Sequence, residues 1–328
     1  MHAAIPPENP GGANHYPMAA EVLHELAPGA PLPGDWFDGV RYYDEPLSRR
    51  APIGVPADAL GDIGRHGDWL DHFRGELRAP DWRTVLSRWT PRLAPGLSGA
   101  TFHGLIRTAH AVRALQRRDT PERRLELAAG LAYWASRFVE LPVTATPRSA
   151  PDSIRNLAQT EAHALDDEEP GFHQVMDRLL ANSLADPVQP AAAAASPHRV
   201  LQSLVLATTT ALLEMLVQER NRIWLLHNVT GPAAVGLLLP VVDPPTARDL
   251  VAYAQQAAIA FHRGYGAPFV PEASVRRRLR PWSELTAIAV ERLSVHGLKL
   301  FDALRRFSGD ARSDRVARST AEQWLEWV

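Results

Sequence analysis

Four histidines and one lysine are the residues of this chain whose types and spacing favour metal chemistry. His15, His103, His227 and His296 each lie inside an apolar or tightly patterned segment. Lys299 follows His296 by three residues, so on a helix both side chains reach one point beside the axis. Imidazole nitrogens bind zinc, copper, iron and nickel, and ligands three residues apart serve metal sites in helical bundles. Spacing alone leaves two interpretations open: a metal site, or histidines that are each core or capping residues.

Lys299 is the only lysine in the chain, since the other thirty-four of its thirty-five basic residues are arginines. An ammonium group has no lone pair for a metal, but a buried, neutral amine takes up carbon dioxide and forms an anionic carbamate. Burial lowers the pKa of a lysine, and a nearby cation favours the carbamate. Arginine cannot do this chemistry. The alternative is an ordinary lysine that extends from the last long helix to solvent.

Composition and motifs exclude several other classes of function. The absence of cysteine excludes disulfides, iron–sulfur clusters, thiolate zinc sites and a cysteine nucleophile. Thirty-five basic side chains nearly balance thirty-seven acidic ones, so we expect neither nucleic acid nor a membrane surface as a partner. No dinucleotide fingerprint, P-loop or nucleophile elbow is present. A conventional nicotinamide or flavin fold is therefore not expected.

Helical periodicity dominates the segments that carry the five residues, and we predict an all-α protein. The predicted helices cover residues 17–27, 82–93, 102–115, 121–139, 171–184, 198–222, 246–262, 282–307 and 320–328. We expect a single domain over residues 1–328, with the metal site in its helical core and a flexible loop at 186–197. The apolar run at 223–242 contains histidine, asparagine and prolines, which favours buried core over a membrane span. No signal peptide is apparent at the N-terminus, which predicts a cytoplasmic protein.

The histidine segments also resemble the questin oxidase family. The resemblance covers most of the chain and rests on four blocks in order. The blocks are Asn14-His15-Tyr-Pro-Met-Ala-Ala-Glu21, Gly99-Ala-Thr-Phe-His103-Gly-Leu-Ile-Arg107-Thr-Ala-His110, Leu226-His227-Asn-Val-Thr230 and His296-Gly-Leu-Lys299. Fungal relatives carry an Asn-His-x-x-His, a His-Pro-Leu-Ile-His, a Leu-His-x-Val-Thr and a His-x-x-Lys block. Met18 and Arg107 stand where those relatives have a second histidine.

The resemblance implies oxidative cleavage of the central ring of an anthraquinone in aromatic polyketide biosynthesis. It implies a non-haem Fe(II) held by His15, His103, His227, His296 and a carboxylated Lys299, with dioxygen and a small aromatic molecule as substrates. The family was first described as NADPH-dependent Baeyer–Villiger monooxygenases, which is one alternative, with NADPH as external reductant. A non-catalytic helical protein that binds a polyketide is another.

Three further residues are assigned roles in the iron-dependent reaction. We predict that Arg107 stabilises the oxyanion of a deprotonated phenol and that His110 carries its proton. Glu21, six residues after His15, is expected to orient a metal ligand.

Overall fold

Helices carry the fold in the computed structural model, which describes residues 8–9, 12–34, 36, 49–78, 81–141, 196–219, 222–266, 269–270 and 273–328. The α-helices with their bounds are α1 (Tyr16–Leu26), α2 (His66–Glu76), α3 (Trp82–Leu93), α4 (His103–Arg117), α5 (Pro121–Ser136), α6 (Pro197–Val217), α7 (Arg222–Leu238), α8 (Pro244–Tyr265), α9 (Trp282–Arg292), α10 (Val295–Arg306) and α11 (Ala311–Trp327). Single 3-10 turns lie at Pro56–Asp58, Ile63–Arg65, Ala94–Gly96 and Leu239–Val241. The strands of the described residues are β1 (Glu8–Asn9) and β2 (Gly12–Ala13), two residues each and antiparallel. The all-α prediction is confirmed.

Most predicted helices are present, and the differences have local causes. The predicted helix 282–307 is two helices, because Leu293 adopts a left-handed conformation with φ of 52°. The side chain of Ser294 then accepts a hydrogen bond from the backbone of Gly297 and begins α10. The short helix predicted at 320–328 begins earlier, after Asp310, which forms a capping box with Ser313. Helix α2 was not predicted. The predicted helix 171–184 lies outside the described residues, and so do residues 186–195 of the predicted loop 186–197.

The backbone contacts divide the chain into two units. The first comprises Met1–Glu140 with Leu237–Leu250, and the second comprises Leu141–Gly236 with Val251–Val328. In the first unit α4 packs against α5, α5 against α2, and α1 against α4. In the second unit α11 packs against α6, α9 and α10, and α9 also packs against α10. The single domain over 1–328 stays a prediction.

Two glycines on facing helices set the close approach of α4 and α5 in the first unit. A Cβ on Gly104 would lie 2.5 Å from the Cα of Trp134, and a Cβ on Gly130 would lie 2.9 Å from the Cα of Thr108. Each helix thus presents a glycine to the backbone of the other. Because backbone atoms cannot rotate away, no larger residue fits at either position without separating the helices.

Gly104→Ala should therefore destabilise the protein by about 1–3 kcal/mol, the usual cost of forcing a methyl group into a packed interior. Gly75→Ala is the matched control, because Gly75 lies in α2, is exposed, and leaves open space where a Cβ would extend. That control should stabilise the protein by up to ~1 kcal/mol through helix propensity. Urea unfolding measures both changes, and equal signs for the two variants would contradict this account of the packing.

Among the described residues, two helices are long and apolar enough, by length and composition alone, to cross a membrane: Pro197–Val217 and Arg222–Val241. In each, 72% of the apolar window is buried inside the protein. Core helices show the same combination of apolar composition and burial. The burial agrees with the interpretation of the 223–242 run as core.

Candidate metal centre

His103 begins helix α4 directly after three consecutive residues in the left-handed region. Ala100, Thr101 and Phe102 have φ angles of 47°, 50° and 65°. The turn brings the carbonyl oxygen of Ala100 to 2.5 Å from Nδ1 of His103, and Oγ1 of Thr101 to 2.9 Å from the same nitrogen. All three residues before the helix are buried. The ring of His103 is thus held by its own preceding turn.

These contacts fix the hydrogen on the imidazole of His103. A carbonyl oxygen only accepts hydrogen bonds, so Nδ1 of His103 donates to Ala100. In a neutral ring the other nitrogen, Nε2, then carries the free lone pair. Metal-binding histidines characteristically donate the hydrogen of one ring nitrogen to a carbonyl or carboxylate in this way.

Nε2 of His103 lies 3.0 Å from Nε2 of His15, which immediately precedes α1 in the same unit. The ring centroids are 4.7 Å apart and the ring planes are tilted by 57°. Two nitrogens bound to one ion at about 2.1 Å and at about 90° to each other are about 3.0 Å apart. The same separation also accommodates a hydrogen bond donated by Nε2 of His15. The geometry therefore suits neighbouring ligands of one metal ion, and metal analysis separates the two interpretations.

The second unit contains the other two predicted histidine ligands, and the tautomer of one of them is fixed in the same way. Nδ1 of His227 donates to the carbonyl oxygen of Ile223 at 2.7 Å, which leaves Nε2 of His227 with the lone pair. The rings of His227 and His296 are perpendicular, with centroids 5.3 Å apart. A ring nitrogen of His227 lies within 4.8 Å of a ring nitrogen of His296. A second pair of imidazoles is thus available for a metal.

Lys299 lies on α10 one turn after His296 and is 1% exposed. Burial lowers the pKa of its amine to about 7, so near neutral pH a large fraction is uncharged. Burial, assisted by the charge of Lys299, lowers the pKa of His227 to about 3 and holds the pKa of His296 well below its usual value. These three groups are therefore suited to remain neutral, as nitrogen ligands and a carbamate-forming amine must be.

Of the candidate metal ligands, His15 and His103 belong to the first unit, and His227, His296 and Lys299 belong to the second. The prediction that all five serve one ion stays a prediction.

The hydrogen bonds that the structure gives for Glu21 join it to His110 and two arginines, and none of these is among the predicted metal ligands. Oε2 of Glu21 lies 2.7 Å from Nδ1 of His110, and Arg113 and Arg117 also donate to the carboxylate. Burial opposes ionisation of Glu21, but the hydrogen bonds from His110 and Arg113 and the positive charge of Arg113 outweigh it and lower the pKa of the carboxyl group far below its usual value. Glu21 is an anion that receives the hydrogen of His110, so Nε2 of His110 is the basic nitrogen.

Arg107 is buried and forms a bidentate ion pair with Glu126 of α5. Nε and Nη2 of Arg107 donate to the two carboxylate oxygens at 2.6 and 2.9 Å. Burial alone would lower the pKa of the guanidinium group, but Glu126 raises it. A substrate oxyanion at Arg107 would share this cation with Glu126, so the predicted role of Arg107 stays a prediction.

Buried His66 in the same unit carries a testable pH dependence. Its Nδ1 lies 3.0 Å from Oγ of Ser136, and burial, assisted by the charges of Arg107 and Arg137, lowers its pKa to about 3. Between the usual value of 6.5 and about 3 the unfolded chain binds the proton and the folded chain does not. Stability from this group is therefore complete above pH 6.5 and lost as the pH falls toward 3, at up to ~1.4 kcal/mol per pH unit.

His66→Gln should accordingly flatten the decline of unfolding free energy between about pH 6 and about pH 4 relative to the parent protein. Urea unfolding at several pH values measures this, with His24→Gln at an exposed position of α1 as the control. Parallel stability curves for the parent and His66→Gln would show that His66 is protonated in the folded state.

Sequence reasoning missed Thr101, Arg113 and Glu126. Thr101 lies in the second histidine block, but no role was predicted for it, because the sequence does not indicate its left-handed backbone conformation. Arg113 lies three residues after His110, a helical spacing that was available as a signal. Glu126 lies on a different helix from its partner Arg107, so only the packing of α4 on α5 reveals the pair.

Comparisons with known proteins add no relative: the chain matches no protein-family model, no curated protein and no solved structure.

Proposed function

We propose that this protein is a non-haem iron oxygenase that cleaves a carbon–carbon bond in the ring of an aromatic polyketide such as an anthraquinone. The observation that carries the proposal is the pair of Nε2 atoms of His15 and His103, 3.0 Å apart, with the hydrogen of His103 fixed on its other nitrogen. The four-block resemblance to the questin oxidase family supports the substrate class and the choice of iron.

The chemistry of the donors fits Fe(II). Imidazole nitrogen and an anionic oxygen are ligands that this ion accepts. His15, His103, His227 and His296 would supply the imidazoles and Lys299 the carbamate oxygen. The carbamate forms when the neutral amine of Lys299 adds to the carbon of carbon dioxide and releases one proton. When bound, the iron supplies the redox chemistry with dioxygen that these side chains lack.

The chain itself would manage the proton of a phenolic substrate. Glu21 keeps the hydrogen of His110 on Nδ1, so Nε2 of His110 is the atom that accepts the phenol proton. Arg113 and Arg117 donate to Glu21 and hold it as an anion beside Nδ1 of His110. Arg107 would stabilise the phenolate oxygen while remaining paired with Glu126. We place this activity in the cytoplasm, on a small aromatic molecule and dioxygen.

Metal analysis of the purified protein is the first test. We expect about one iron per chain after anaerobic reconstitution with Fe(II), and oxygen consumption with a reduced anthraquinone that exceeds the uncatalysed rate without protein and does not require NADPH. His103→Ala should lose both, whereas His24→Gln, at an exposed position, should keep both.

Other outcomes identify the alternatives. Oxygen consumption that depends strictly on NADPH and persists in metal-free protein would indicate the Baeyer–Villiger monooxygenase. Tight binding of the anthraquinone without metal and without oxygen consumption would indicate a polyketide-binding protein. Either result contradicts the proposal.

A further inference from the structure

The turn before α4 stands out because three non-glycine residues in succession are left-handed. L-residues rarely adopt this conformation, and it costs a β-branched residue such as Thr101 more than most. A strained backbone persists only where the surrounding structure enforces it, and such segments cluster at functional sites. The packing around this turn and the atoms that it presents are therefore informative.

Close packing against α5 and the residues after it encloses the turn on both sides. A Cβ on Gly99, just before the turn, would overlap the carbonyl oxygen of Arg137. Gly104, just after it, lies against the backbone of Trp134. Between the two glycines Phe102 is fully buried. The backbone of residues 99–104 therefore has no room to relax into a commoner conformation.

The turn presents two oxygen atoms to one nitrogen. Oγ1 of Thr101 donates to the carbonyl oxygen of Ala100 at 2.7 Å, which commits the single hydroxyl hydrogen. The lone pairs of Oγ1 are then free to accept from Nδ1 of His103 at 2.9 Å. The Ala100 carbonyl and the Thr101 hydroxyl both accept a hydrogen bond from Nδ1 of His103. The left-handed turn orients both oxygen atoms toward this nitrogen.

We propose that Thr101 is a positioning residue for the metal centre. Its hydroxyl, which donates a hydrogen bond to the Ala100 carbonyl, fixes the orientation of the His103 ring and helps to keep the ring hydrogen on Nδ1. Nε2 of His103, the ring nitrogen that carries no hydrogen, is thereby held toward His15. This inference rests on the proposed function for its consequence, which is metal affinity. Its structural half, the hydrogen position on His103, holds in the metal-free protein as well.

The test compares Thr101→Val with Thr101→Ser. Valine keeps the shape and the β-branch of threonine but removes the hydroxyl, while serine keeps the hydroxyl. Thr108→Val is the matched control, because Thr108 is a buried threonine of α4 whose hydroxyl has no hydrogen-bond partner among the described residues. The readouts are Fe(II) affinity, thermal unfolding of the metal-free protein, and 15N NMR signals of the His103 ring in metal-free protein.

We expect Thr101→Val to weaken Fe(II) binding roughly 10–100-fold, as the loss of a partner that orients a metal ligand typically does. Its 15N spectrum should show a larger fraction of His103 rings with the hydrogen on Nε2 than in the parent, because Nδ1 keeps only the Ala100 carbonyl as acceptor. Thr101→Ser and Thr108→Val should retain the affinity and the single tautomer of the parent. Thr101→Val that binds Fe(II) like the parent, or a serine variant that loses as much affinity as the valine variant, would overturn the inference.

The two proposals fail in different ways. If the parent protein binds no iron, the proposed function fails, and the 15N spectra of the metal-free variants still decide whether Thr101 sets the tautomer. If the parent binds iron and Thr101→Val leaves both the spectrum and the affinity unchanged, only the role of Thr101 fails.

Discussion

Lys299→Arg should lose bound iron and oxygen consumption. The loss should exceed the roughly 10–100-fold decrease in metal affinity that follows removal of a group hydrogen-bonded to a metal ligand. A guanidinium group keeps its proton at any ordinary pH and forms no carbamate. The side chain is 1% exposed, so the variant also buries a permanent cation beside His227 and His296. Metal analysis and oxygen uptake measure the loss.

Lys299→Met separates chemistry from folding. Methionine fills a similar volume without a group that needs solvation, so thermal stability of the metal-free protein should equal or exceed that of the parent. Metal should still be lost. Lys299→Glu should recover part of the metal affinity, because its carboxylate supplies an anionic oxygen in place of the carbamate oxygen. The recovery should be incomplete, because the glutamate side chain is shorter than a carboxylated lysine.

A labelling experiment reports on the carbamate directly. The parent protein in 13C-bicarbonate should show one carbamate carbon signal more than the Arg and Met variants, since Lys299 is the only lysine of the chain and the α-amino group is common to all three. An arginine variant with full metal content and full oxygen consumption would show that Lys299 takes no part in the centre.

The sequence was sufficient for the helices because their signals are local. Apolar residues at helical spacing predicted α1, α3, α4 and α5 to within a few residues, with Pro17 at the start of α1 and Thr120 before α5 as additional signals. The break at Leu293 was missed because a left-handed leucine is not favoured by any local preference. The helices on either side pack against each other and against α11, so tertiary contacts set the break.

The candidate site was predicted as a set of residues and not as a set of contacts. The histidines were identified by residue type and apolar surroundings, which a sequence displays. The contact between Glu21 and His110 joins residues 89 positions apart, and only the packing of α1 on α4 creates it. The prediction that Glu21 orients a metal ligand followed its nearness to His15 in the chain, and the structure instead gives it His110 and two arginines as partners.

Glu126→Gln should destabilise the protein by about 3–5 kcal/mol, the usual cost of breaking a buried ion pair from one side. The variant leaves the cation of Arg107 buried with its main compensating charge removed; the Arg107 side chain is 3% exposed and that of Glu126 is 16% exposed. Urea unfolding at about pH 7 measures the loss.

The pair formed by Arg124 and Asp119 is a matched control, since its two hydrogen bonds of 2.7 Å have nearly the same geometry but the Asp119 side chain is 40% exposed. Asp119→Asn should cost no more than ~1 kcal/mol, because water solvates the arginine that remains. Equal losses in Glu126→Gln and Asp119→Asn would show that burial does not determine the strength of the Arg107 pair.

A double variant, Arg107→Met with Glu126→Leu, then separates stability from catalysis. Replacing both members of a buried ion pair with apolar residues of similar volume is often neutral, so stability should return close to that of the parent. If Arg107 stabilises the phenolate oxygen, this restored protein should bind iron normally and yet turn over slowly, because the cation is gone while the fold is intact. If oxygen consumption returns together with stability, Arg107 serves the packing of α4 on α5 alone, and the oxyanion must be stabilised by another group.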